Sequence, residues 1–172
     1  MEQGWLVCEE GRVRDVYSVL PEELKGIPVE DMGDRLIIPG LTDLHIHAPQ
    51  YTFRSLGMDM ELLEWLETNT FPEESKYKDA EYAQKAYGMF AEQLKKSATV
   101  RACIFGTIHN EATLILMDLL EEAGLHTMVG KVNMDRNSPD YLCEPSAEAS
   151  AQATREWLKA VADRKYKHTR PI

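Results

Sequence analysis

The sequence predicts an α/β fold built on a parallel sheet. Three observations lead there. Apolar, β-branched runs alternate with amphipathic helical stretches at intervals of roughly 25–35 residues, the rhythm of strand–helix–strand units with right-handed crossovers. Pro39-Gly40 introduces a strand that ends on two histidines, which puts polar chemistry at a strand terminus. Residues 1–38, interrupted by Pro21 and Pro28, carry no helical period and read as short strands and turns.

The elements follow in order. Trp5-Leu6-Val7-Cys8 is a strand-like run, and Glu9-Glu10-Gly11-Arg12 supplies a turn before Val13, Val16 and Val19. Leu36-Ile37-Ile38 leads through Pro39-Gly40 into Leu41–His47, a buried-type strand ending at Ala48-Pro49. Met60–Thr68 spaces Leu62, Leu63 and Leu66 as a helix does. Asp79 is a candidate N-cap for a helix to Lys96, with Ala83, Ala86, Phe90 and Leu94 on one stripe. A second strand spans Thr99–His109. Asn110 caps a helix over Glu111–Ala123, and Gly124 stands where a helix-ending glycine belongs. A third strand, His126–Asp135, leads to a loop at Asn137-Ser138-Pro139. Ser146 caps a last helix to Arg164, with Ala151, Thr154, Leu158 and Val161 facing inward. Thr169–Ile172 opens another strand.

Composition bounds the function. The 172 residues carry 19 Lys+Arg against 29 Asp+Glu, a formal charge of −10. That balance argues against a nucleic-acid partner or an anionic membrane surface, both of which need clustered cations. No apolar run reaches the ~18–20 residues of a membrane span, and Met1-Glu2-Gln3-Gly4 lacks the positive charge of a secretory leader. A cytoplasmic protein is expected. Cys8, Cys103 and Cys143 are too few and too far apart for a disulfide framework or a metal knuckle, and are read as buried free thiols. Neither glycine-rich phosphate loop occurs.

Asp43-Leu44-His45-Ile46-His47 carries the chemistry. On a strand, residues two apart share a face, so His45 and His47 project together and can converge on one metal ion. Asp43 lies on that face one rung deeper, placed to accept the free ring N–H of a ligand histidine.

Pro39-Gly40-Leu41-Thr42-Asp43-Leu44-His45-Ile46-His47 resembles the first barrel strand of the amidohydrolase superfamily. Ala48-Pro49-Gln50-Tyr51, Leu62–Leu66, Thr70-Phe71-Pro72-Glu73-Glu74 and Val129–Asp135 are similar to stretches of its guanine deaminase family. The resemblance implies a (β/α)8 barrel of the amidohydrolase type, with about the first three βα units in residues 39–172. Residues 1–38 would then be part of a small flanking β-domain. It implies zinc-dependent hydrolytic deamination of guanine to xanthine and ammonia, in a homodimer. His45 and His47 are the implied metal ligands. His47, Ala48, Pro49 and Gln50 are the implied lining of the purine pocket, Gln50 offering donor and acceptor to a purine edge. Trp65 is a further wall candidate, although an amphipathic helix needs such a residue for packing anyway. In the family, the other ligands, the proton-moving residues and an arginine come from later strands, beyond Ile172. The chain is therefore expected to be an incomplete portion, inactive alone. Two other readings stand beside this one: deamination of a different heterocycle, and a non-catalytic chain associating through uncovered sheet edges.

Other candidates receive structural readings. His109 ends a strand as a structural or supporting histidine, while His126 and His168 are surface residues. Lys131 is not expected to bind metal, and Glu73-Glu74 is read as a solvated turn.

Overall fold

Residues 4–172 are described by the computed structural model, which divides after Ile38 into two units. Met1-Glu2-Gln3, the stretch that bears on a leader, lies outside the described residues. In the first unit, β1 (Trp5–Glu9) pairs antiparallel with β2 (Arg12–Tyr17). The turn between them puts Glu10 at φ 51° and Gly11 at φ 74°, the left-handed pair that tight hairpins require.

The second unit is a four-stranded parallel sheet in the order β3-β4-β5-β6: Leu41–His47, Thr99–Phe105, His126–Gly130 and Thr169–Pro171. Three longer helices cross between the strands: α3 (Ala80–Lys95), α4 (Asn110–Glu122) and α5 (Ala147–Arg164). Two short ones, α1 (Leu62–Trp65) and α2 (Phe71–Ser75), precede them. The core lies between the long helices and one face of the sheet. Ala102, Ile104 and Val129 pack there with Ala86, Phe90, Leu116, Met117, Leu120, Trp157 and Val161. Strand alternation turns Arg101, Cys103, Phe105 and Met128 to the opposite face.

Capping follows the sequence in two cases. Asp79 accepts from the backbone N–H groups of Glu81 and Tyr82, and Ser146 from that of Ala149. At α4 the N-cap position is held by His109 instead. Asn110 is already helical, and its amide donates to the Ala153 carbonyl at 2.8 Å, tying α4 to α5. Gly124 ends α4 at φ 72°, as its place in the sequence predicts.

Several expectations are corrected. The strand Leu41–His47 forms with the expected bounds but is not buried: Leu44 is 77% exposed, because β3 is a sheet edge. The next two strands stop at Phe105 and Gly130, where Gly106 N–H bonds the Gly130 carbonyl. The helix expected over Met60–Thr68 instead runs through α1, a π-helical turn at Leu66–Thr70 and α2, with Leu62 and Leu63 exposed. Pro72 lies inside this continuous run and offers no N–H to the preceding turn, and the π-helical irregularity falls directly before it. On α5 the buried stripe is Ser150, Trp157 and Val161, so Leu158 points outward. The cysteines are free but not buried: Cys8 is exposed and the other two are partly so. No helix among the described residues is long and apolar enough to cross a membrane.

Candidate functional site

The site is built on the C-terminal end of β3. Alternation brings both imidazoles to one face, with their Nε2 atoms 3.0 Å apart. In the β3–β4 register His47 is opposite Phe105, whose ring stacks on the His47 ring at 4.6 Å and lies 4.8 Å from that of His45. An aromatic floor excludes water from one side of both histidines. Burial, and secondarily the neighbouring His45, hold the His47 imidazole below its ordinary pKa. It is therefore neutral at pH 7, with a lone pair free for a ligand bond.

This donor pair fits a metal ion. With Zn–N bonds of about 2.0–2.1 Å, two nitrogens on a tetrahedral ion stand roughly 3.3 Å apart. The 3.0 Å separation is close to that spacing. Imidazole donors suit zinc, iron, copper or nickel. Among the described residues no group of three or more metal-binding side chains occurs, so the pair stands as two ligands. Asp43 does not play the part expected of it. Its Oδ1 accepts the backbone N–H of His45 at 3.0 Å instead of a ring N–H, fixing the strand rather than a tautomer.

Ala48–Phe53 continues β3 as a 3₁₀ turn, with Ala48 and Pro49 buried and Gln50 half-buried. The turn sets His47, Ala48, Pro49 and Gln50 side by side. Trp65 belongs to α1 and meets only the far end of this turn: its ring lies 5.6 Å from Phe53, and its indole N–H donates to the Leu56 carbonyl.

Glu73 and Glu74 are corrected most. They are not a solvated turn but buried members of α2, 9% and 6% exposed. Glu73 accepts from Thr52, Lys76 and Tyr82. Burial pushes its carboxyl up, yet those donors outweigh burial and hold it below the ordinary range. Glu74 has no such donors among the described residues, and burial alone pushes it up to about 7. An acid whose pKa is raised by folding stabilises the native state fully below its unfolded value of 4.5, and that stability is lost as pH rises toward 7. Glu74→Gln, which cannot ionise, is expected to gain on the parent by on the order of 3 kcal/mol between about pH 5 and pH 8. Urea midpoints across that range measure it, and a pH-independent difference would show that Glu74 ionises normally.

Lys131 is anchored away from metal chemistry. Its side chain, 0% exposed, pairs with Glu144 at 2.7 Å. His109 is partly buried, with its Nε2 unpaired; burial, and secondarily Lys78 and Lys131, lower its pKa. His126 is exposed, whereas His168 is half-buried, with its ring 5.2 Å from that of His126. Phe105, Thr52 and Tyr77 escaped the sequence reading. For Phe105, strand parity one rung across from His47 was the available signal; the other two gave none.

Residues 36–170 match the amidohydrolase family. Among curated relatives, a guanine deaminase of Dictyostelium discoideum is 36% identical over 156 residues, covering 91% of this chain and 32% of its own length. One of Escherichia coli is 34% identical, covering 92% of this chain and 36% of its own length. The chain thus spans about a third of the relatives it matches. The crystal structure of a guanine deaminase from C. acetobutylicum, with guanine bound in its active site, superposes with a TM-score of 0.90 at 42% identity. It covers 98% of this chain, which spans 40% of that one.

Proposed function

From the premise that the chain belongs to the amidohydrolase family, whose guanine deaminases are metal-dependent hydrolases, we propose that it carries the first metal-ligand strand and part of the purine pocket of a zinc-dependent guanine deaminase. The observation that carries this reading is the convergence of His45 and His47 at 3.0 Å on a strand end that runs directly into Ala48-Pro49-Gln50. Guanine in the active site of a neighbour that superposes over 98% of this chain supports the substrate.

In this reading His45 and His47 hold the ion through Nε2. When bound, zinc supplies Lewis acidity and brings the pKa of water to about 7, so that hydroxide is available at neutral pH. Phe105 packs against both imidazoles and covers one side of them. Ala48 and Pro49 wall the pocket, and the Gln50 amide reads a purine edge with one donor and one acceptor. The net reaction replaces the amino group of guanine by an oxygen from water, giving xanthine and ammonia. Residues 1–38 are assigned to the small flanking β-domain. The homodimer and the cytoplasmic compartment belong to the same proposal, and free cysteines suit a reducing compartment.

Ammonia release from guanine, adenine and cytosine by the protein expressed from its gene and loaded with zinc tests the substrate. Release from guanine alone is expected; turnover of adenine alone would overturn the assignment.

A further inference from the structure

Gln50 sits in a 3₁₀ turn whose own bonds are a 3.4 Å contact from Thr52 Oγ1 to the Pro49 carbonyl and donation from Arg54 to the Tyr51 carbonyl. A 3₁₀ segment has poor hydrogen-bond geometry and rarely persists without outside support. Two side chains from far along the chain supply that support. Thr52 Oγ1 donates to Glu73 Oε1 at 2.7 Å, and the Tyr77 hydroxyl donates to the Pro49 carbonyl at 3.2 Å. These contacts fall on either side of Gln50. Both anchors are rigid: Glu73 is also held by Lys76 at 2.5 Å and by the Tyr82 hydroxyl. Tyr77 is 1% exposed, with its ring 4.5 Å from that of Tyr87 and 5.3 Å from that of Tyr82. Gln50, by contrast, makes no side-chain hydrogen bond among the described residues, which leaves its amide for a ligand.

We propose that Glu73 and Tyr77 are positioning residues that clamp the Ala48–Phe53 turn through Thr52 and Pro49, and so aim Gln50 at the purine beside the His45/His47 pair. The inference rests on the guanine reading above. It assigns the buried α2 acid a role in substrate selection, reached through the turn rather than by contact with the purine.

A double-mutant cycle tests it, read by calorimetric titration of guanine and of zinc into the protein expressed from its gene, so that no turnover is needed. Thr52→Val removes the hydroxyl and keeps the shape. It is expected to weaken guanine about 10-fold, the scale of one lost hydrogen bond, and to leave zinc affinity within about 2-fold. Thr52→Ser is expected to restore guanine affinity, and Tyr77→Phe to repeat the loss. In a Gln50→Ala background Thr52→Val should have no further effect. An equal loss with and without Gln50, or a loss of zinc affinity in step with guanine, would overturn the clamp and leave the substrate assignment standing. Gln50→Ala without effect, or a parent chain that does not bind guanine, would overturn the substrate assignment and the clamp with it.

Discussion

His45→Ala and His47→Ala are each expected to lower zinc affinity by more than about 100-fold. Loss of a partner outside the ligand set already costs 10–100-fold, and a ligand contributes more than its support. The two nitrogens stand 3.0 Å apart on one strand face, so they act as a chelate, and losing either leaves a single imidazole. The Phe105 ring, 4.6 Å from that of His47, maintains this arrangement before any ion arrives. Zinc titration against a chromophoric chelator measures the loss, with circular dichroism checking that each variant folds. His126→Ala and His168→Ala serve as controls and should leave zinc affinity unchanged. Loss in the controls equal to that in the strand variants would move the metal to the other histidine pair.

Breaking the Lys131–Glu144 pair is expected to have the largest effect on stability. The Lys131 ammonium is fully enclosed; its two acceptors are Glu144 Oε1 at 2.7 Å and the Val132 carbonyl at 2.9 Å. Glu144 Oε2 accepts from the Met134 N–H and from Ser150, which in turn accepts from Asn133. Burial pushes the Glu144 carboxyl up, but Lys131, Ser150 and the Met134 N–H together pull it below the ordinary range. Removal of one member strands the other as an uncompensated charge. Lys131→Met and Glu144→Gln are each expected to cost about 3–5 kcal/mol, and the double variant much less than their sum. Urea unfolding of the two singles and the double measures this. Additive losses would show that the two charges do not depend on each other.

Helix starts at Asp79 and Ser146, the glycine stop at Gly124 and the buried stripe of α3 were legible because each rests on contacts within a turn or two of chain. The convergence of His45 and His47 was legible for the same reason: alternation alone sends both side chains to one side. Family likeness added the (β/α)8 barrel of which this parallel sheet is part. Elsewhere local patterning failed. Leu44 and Leu62 look like core residues in sequence and are exposed, because burial depends on what covers a strand edge or a short helix. Glu73 and Glu74 look solvated and are buried, because only the folded chain brings Thr52 and Tyr82 to one of them and leaves the other without a donor among the described residues.

The sequence by itself determined the strand–helix order, the caps, the two converging histidines and the family. Tertiary structure alone decided that Phe105 floors the histidines, that Lys131 is spent on Glu144, and that α2 grips the turn carrying Gln50. The physical reason is range. Periodicity and capping act over a few residues, whereas stacking, desolvation and ion pairing act between atoms that only folding brings together.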